Sequence, residues 1–253
     1  LLVGRLFGPE AVGIYTMAYR IISDPVRTLA STINDVAYPA FSKLQNELSR
    51  LRTYFFTIAR ANLSLIGLVL VIIGVHIEEL LVVGGYEKYF DAIPLVYIFS
   101  LVGVFRSVGA LVPQLLNAVG QARLNFFYAI FSSLLMPAAF LVGGQFSLNG
   151  VAWAWVAAYP VVVAVLLYFS ARVLETSLGH VVKVVAPGAV VLLPALGAGL
   201  GLELLTNTYL PGMPILALAI GVVGTLAVGL GLIALREQEA ISVLRGQYSA
   251  ANA

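Results

Sequence analysis

GIYTMAYRIISDPVRTLASTIND, residues 13–35, mixes charged and apolar residues in an order that an α-helix sorts into two faces. With about 100° between successive residues, Gly13, Thr16, Arg20, Asp24, Arg27, Ser31, Asn34 and Asp35 fall within one arc of the helix. Ile14, Ile21, Ile22, Pro25, Val26, Leu29, Ile33 and Val36 lie opposite. The segment is long enough to cross a bilayer. An ionised Arg or Asp at bilayer depth costs about 2.5 to 3.5 kcal/mol on insertion scales, so such groups turn toward a partner or a wet cavity. The stripe predicts a cavity wall.

Outward from this helix, composition points the same way. Of 253 residues, 60% are hydrophobic and 10% charged, against about 25% charged in soluble domains. The charges gather between apolar runs of the length a helix needs to span hydrocarbon, which makes this an integral membrane protein. The net charge of +2 and the absence of any block of like charge argue against a nucleic-acid partner. There is no Cys, hence no disulfide and no thiolate metal site. His76 and His180 are far apart in sequence and are expected at the membrane surface, not as metal ligands, so no cofactor is expected.

Leu1 to Phe7 reads as the last two turns of a helix whose beginning is absent, so the chain is expected to be a fragment. Residues 4–10 form a turn, the striped helix ends near Tyr38-Pro39, and residues 42–54 read as a short helix on the membrane surface, with Leu44, Leu48, Leu51 and Phe55 at helical spacing. Further spans follow at about 54–75, 92–119, 124–142, 151–171, 184–205 and 213–235, giving seven whole spans and one stump. Lys43, Arg50, Arg52, Arg123, Arg172, Lys183, Arg236 and Arg245 lie in alternate connections, which places those connections and the C-terminus in the cytoplasm. The opposite connections are acidic, with Glu78, Glu79, Glu87 and Asp91 in one loop, and carry an aromatic belt of Tyr86, Tyr89, Phe90, Trp153, Trp155 and Tyr209. Gly197-Gly201 and Gly221-Thr225-Gly229 place small residues four apart and predict close packing of the last two spans.

Three polar groupings stand out. Arg20 and Asp24 are four apart and Arg27 three further on, so they can pair while one guanidinium stays unmatched. The plain reading is an ion pair joining helices; the functional one is a site for an anionic headgroup, which the planar Arg fork suits. Arg106, Ala110, Pro113, Gln114 and Asn117 share a second helical face. Arg60 and Ser64 add a third contribution, with snorkelling of Arg60 as its simpler account. No phosphate loop, nucleophile elbow or paired carboxylate in a soluble cleft appears, so the chain does not read as an enzyme.

GRLFGPEAVGIY at 4–15, Ala18-Tyr19-Arg20, YPAFSKLQ at 38–45, NAVGQAR at 117–123 and NGVAWA at 149–154 together resemble the second half of polysaccharide transporters. These are the O-antigen and exopolysaccharide flippases of the multidrug/oligosaccharidyl-lipid/polysaccharide exporter superfamily. The resemblance implies an all-α polytopic membrane helix bundle. Residues 1–172 would be the second six-helix lobe, its first helix truncated and five spans following, and residues 173–253 two additional C-terminal transmembrane helices and a cytoplasmic tail. It also implies a missing N-terminal lobe, a bacterial or archaeal cytoplasmic membrane, and alternating-access flipping of polyprenyl-diphosphate-linked oligosaccharide for surface polysaccharide such as lipopolysaccharide or exopolysaccharide. A polysaccharide polymerase complex is a further expected partner. Arg20 and Arg27 would meet the diphosphate, with Asp24 holding Arg20; Asn34, Asp35, Arg60, Arg106, Gln114 and Asn117 would complete the cavity. The rivals are a cation-coupled drug exporter of the same superfamily, which would want an acidic cavity, and a polytopic polymerase or ligase, which would want a large outward loop.

Overall fold

Backbone amides in hydrocarbon must be satisfied within the chain, and a sequence of apolar runs meets that demand by forming helices. The computed structural model describes residues 2–236, and among these there is no strand. The helices are α1 Leu2–Leu44, α2 Leu48–Val75, α3 Ile77–Val83, a 3-10 turn Glu87–Ala92, α4 Ile93–Gly109, α5 Val112–Ala118, α6 Ala122–Gly143, α7 Leu148–Val173, α8 Leu178–Val185, α9 Pro187–Val190, α10 Leu192–Tyr209 and α11 Pro214–Arg236. Six stretches are long and apolar enough to cross a membrane: Leu48–Val75, Glu87–Ala118, Ala122–Gly143, Leu148–Val173, Leu178–Tyr209 and Pro214–Leu235. The striped α1 is a further long helix, set apart by its charges. The chain is an all-α, multi-pass membrane protein.

Three expectations are corrected at the start of the chain. The turn at 4–10 is a kink at Gly8 alone, which sits at φ 83° and ψ 176° while helix continues on both sides. Gly tolerates that backbone, and Pro9, which needs no amide partner at a helix start, follows it. The striped helix does not end at Pro39 but runs to Leu44, because Phe41 and Leu44 are buried and hold the last turns against α2. The separate surface helix at 42–54 does not exist. Residues 45–47 make the turn and α2 begins at Leu48, so the leucine spacing marks a core-facing stripe. Phe41 packs its ring on Tyr54 at 5.7 Å and on Phe55 at 6.0 Å. Expectations that rest on Arg245 and the tail lie outside the described residues.

Two apolar clusters seat α1. Near its C-terminal end, Phe41, Leu51, Phe55, Leu111, Leu115 and Leu166 join it to α2, α5 and α7. Nearer its middle, Ile22, Val26, Ile66, Val96, Phe99 and Ala152 join it to α2, α4 and α7. Helix α6 has no buried residue and rides on α7. The contact is close because Gly143 and Gly150 face each other, so a Cβ built on either would collide with the other's carbonyl oxygen. The final helix pair also packs through small residues, though not all those expected. Gly199 meets Thr225, but Gly197 and Gly201 face open space. Gly221 and Gly229 instead admit side chains from the first part of the chain, the His76 ring and Leu68.

His76 is therefore corrected from a surface residue to a buried one, 1% exposed, between α2 and α3 and against α11. Its Nε2 lies 3.4 Å from the Thr225 hydroxyl. Burial holds its pKa below the ordinary 6.5, against the opposing pull of Glu79 and of a hydrogen bond with the Gly221 backbone. His180 is exposed and packs edge-on against Phe56 at 5.5 Å.

Gly143→Val is expected to lower the thermal midpoint of the detergent-solubilised chain by the equivalent of about 1 to 3 kcal/mol, as overpacking does. Gly13→Ala, whose added methyl meets nothing within 4 Å, should not lower the midpoint and should raise it by up to about 1 kcal/mol equivalent, the helix preference of Ala over Gly. A second expectation concerns pH. Because the folded chain disfavours the His76 imidazolium, the contribution of His76 to stability is complete above 6.5 and is lost as pH falls below that value. Unfolding midpoints should be flat from pH 8 to 7 and decline toward pH 5, and His76→Gln should flatten the decline.

Candidate functional site

The charged stripe of α1 opens onto a concavity of about 350 Å³ lined by Tyr15, Thr16, Tyr19, Arg20, Asp24 and Arg27. All six come from one helix, so their spacing is set by the helical rise. Arg27 Nη2 lies 3.3 Å from Asp24 Oδ1, with both side chains more than half exposed. Such a pair contributes little stability, about 0 to 1 kcal/mol. The expectation that Asp24 holds Arg20 is corrected: the carboxylate serves Arg27, one turn further on, and no ion pair reaches Arg20 among the described residues. The groove thus presents two guanidinium groups against one carboxylate.

Arg106 does not share this opening. It stands behind Tyr19, half-buried, with Nη1 donating to Ser23 Oγ at 3.0 Å and to the Tyr19 hydroxyl at 3.4 Å. The guanidinium lies 5.9 Å from the Tyr19 ring centre. The void beside Arg106 measures about 10 Å³, at most the room that one water needs. Tyr19 borders both spaces, the wide groove on one side and the narrow void on the other.

The remaining predicted residues scatter. Asn34 and Asp35 sit further along α1, outside the groove lining; Asp35 is exposed, and Asn34 has a buried Oδ1 with no partner among the described residues. The polar face expected from Arg106 to Asn117 is interrupted, because the helix breaks between Gly109 and Val112. Asn117 points to α6, accepting from Asn125 Nδ2 at 3.2 Å, and Gln114 is half-buried on α5. Arg60 and Ser64 are corrected from cavity residues to residues of the contact with α9. Ser64 Oγ donates to the Gly188 carbonyl at 3.2 Å, and the Arg60 stem lies against Gly188.

Sequence reasoning missed the aromatic backing of the groove. Trp155, expected in an interfacial belt, turns inward from α7, and its indole N–H donates to the Tyr15 hydroxyl at 2.8 Å. Its ring lies 5.9 Å from Tyr19, 6.0 Å from Tyr159 and 5.0 Å from Phe140. Tyr15 and Tyr19 both meet Phe99 of α4 edge-on, at 5.3 and 5.7 Å. The signal was in the spacing: Tyr15 with Tyr19, and Trp155 with Tyr159, are each four apart and so share a helix face. Trp153, by contrast, is 54% exposed, as a residue facing lipid or an interface would be.

The Tyr15–Trp155 bond is a measurable tie between α1 and α7. Tyr15→Phe and Trp155→Phe should each cost about 1 kcal/mol of unfolding free energy, and the double variant should cost less than the sum of the two, since one bond is lost in all three.

Comparison with known proteins agrees with this membrane architecture. Residues 1–86 match the family model described as "Polysaccharide biosynthesis protein". The lipopolysaccharide biosynthesis protein WzxC of Escherichia coli (strain K12) is 30% identical over 152 residues, covering 57% of this chain and 30% of that protein. The teichuronic acid biosynthesis protein TuaB of Bacillus subtilis (strain 168) is 31% identical over 157 residues, 61% of this chain and 32% of that protein. The amylovoran biosynthesis protein AmsL of Erwinia amylovora is 26% identical over 139 residues, 54% of this chain and 35% of that protein. The match spans about a third of the length of each of these relatives. No solved structure matches the chain. Over the part these comparisons cover, which includes the whole of the striped helix, the chain is similar to polysaccharide biosynthesis proteins.

Proposed function

We propose that the chain works in polysaccharide biosynthesis as part of a flippase for polyprenyl-diphosphate-linked oligosaccharide. In this reading residues 1–172 are the second transmembrane lobe, residues 173–253 an appended helix pair and cytoplasmic tail, and the α1 groove one wall of a cavity completed by a first lobe. The observation that carries it is the groove itself: Arg20 and Arg27 line an open recess with a single carboxylate beside them. A surplus guanidinium on a membrane-crossing helix is tolerated when it faces water or an anion, and Arg binds phosphate through two parallel hydrogen bonds. The printed names of the relatives, biosynthesis proteins for lipopolysaccharide, teichuronic acid and amylovoran, favour a carbohydrate cargo over a drug.

Transport by alternating access needs no covalent chemistry from the protein. The cargo is anionic, so moving it outward along a negative-inside potential is favoured by about 2.3 kcal/mol per charge per 100 mV. Asp24 has a definite part, since it lowers the net charge of the groove and so weakens the grip that a second unpaired guanidinium would exert. A carrier must release what it binds.

Arg20→Ala and Arg27→Ala in the full-length protein should each reduce surface polymer about tenfold or more, the loss of a charge-assisted contact to phosphate, with the amount of protein in the membrane unchanged. Arg20→Lys should retain part of the output. Unaltered polymer in both Ala variants would remove the groove from the pathway of the cargo.

A further inference from the structure

A second concavity, of about 410 Å³, lies at the end of the bundle where the α1–α2 turn, the start of α6 and the end of α7 meet. Gln45, Gln121, Arg172 and Glu175 line it over apolar residues that include Leu51 and Leu124. Arg172 and Glu175 are both exposed and both line the cavity, yet no ion pair joins them among the described residues. Two opposite charges side by side and unpaired can receive a ligand that carries both signs.

The backbone that presents Glu175 is unusual. Helix α7 ends at Val173 with Leu174 as its cap, and Glu175 follows in the left-handed region at φ 46°, the one such residue besides glycines among the described residues. Thr176 N–H bonds the Ala171 carbonyl at 2.9 Å and Glu175 N–H the Arg172 carbonyl at 3.3 Å, the closing pattern that glycine usually serves. A side chain at such a position is strained. The strain is held by Arg52 of α2, whose Nε and Nη2 donate to the Leu174 carbonyl at 2.9 and 2.7 Å while Nη2 also donates to the Glu175 carbonyl at 3.1 Å. A carboxylate therefore stands where glycine would be easier, and a third helix fixes it there.

We propose that this cavity binds the headgroup of a zwitterionic phospholipid, with Arg172 on the phosphate, Glu175 on the ammonium and the two glutamine amides on the remaining oxygens. A cavity at the end of membrane-crossing helices α2, α6 and α7 sits at headgroup depth, and its apolar floor suits the first methylenes of the acyl chains. A purely anionic headgroup meets repulsion from Glu175, so the site selects phosphoethanolamine over phosphoglycerol.

The test is native mass spectrometry of the whole chain released from micelles doped with equal amounts of phosphatidylethanolamine and phosphatidylglycerol of matched acyl chains. The chain should retain phosphatidylethanolamine about tenfold more, the factor that one charge-assisted contact supplies. Glu175→Gln and Glu175→Gly should abolish the preference, and Arg172→Gln should weaken retention of both lipids. Glu175→Gly relieves the strained backbone, so its thermal midpoint should equal or exceed that of the parent chain, which separates loss of binding from loss of fold. Equal retention of the two lipids, or a preference that survives Glu175→Gly, overturns the proposal. Binding of soluble phosphoethanolamine as tight as that of the lipid would also overturn it, by assigning the site to a soluble ligand.

Discussion

A guanidinium inside a membrane protein must be surrounded by acceptors or left in contact with water, since hydrocarbon supplies neither. The structure uses both solutions within a few residues. Arg106 donates to the hydroxyls of Ser23 and Tyr19, whereas Arg20 and Arg27 are left open to a groove. The two environments are separated by one ring, Tyr19. That residue also packs on Phe99 and near Trp155, so its position is set by the apolar core as well as by its contact with Arg106. The polar site thus inherits its geometry from the packing of α1 against α4 and α7.

Backbone satisfaction imposes the second constraint. Where the helices break, the chain supplies a local remedy: Gly8 takes a backbone angle other residues avoid, Pro113 and Pro187 begin new helices where no amide partner is needed, and Arg52 donates to the carbonyls that α7 leaves exposed. Two polar contacts also tie elements distant in sequence. Arg52 links α2 to the end of α7, and the Ser64 hydroxyl links α2 to α9. Helix α2 is accordingly a pillar against which helices from early and late in the chain pack.

Hydropathy carried most of the fold. The predicted span at 124–142 lies within α6 and that at 151–171 within α7, because a run of apolar residues flanked by polar ones marks a helix whatever its neighbours. Partners were harder to read. The leucines at 44, 48 and 51 repeat as an interfacial helix would, and only the contact of Phe41 with Tyr54 and Phe55 shows that they face a core. Arg60 and Ser64 are polar residues on a long span, but whether they face a cavity or α9 depends on a helix more than 120 residues away. Asp24 could have served Arg20 or Arg27, which helical spacing allows equally. Side-chain conformation made the choice. Of the candidate site, the stripe on α1 was legible because it is local, and its aromatic backing was not, because Trp155 joins it from another helix.

The choice made by Asp24 bears on how the groove works. Arg20 and Arg27 stand two helical turns apart, about 10 Å along the helix. The two cations are inequivalent in their surroundings. Arg27 enters with a carboxylate partner that any incoming anion must displace, while Arg20 has no such competitor among the described residues and lies beside Tyr19 and Tyr15. In the proposed function an anion would meet Arg20 at the lower cost and find an aromatic surface next to it, while at Arg27 it would compete with the internal ion pair. That asymmetry between the two cations follows from the placement of one carboxylate.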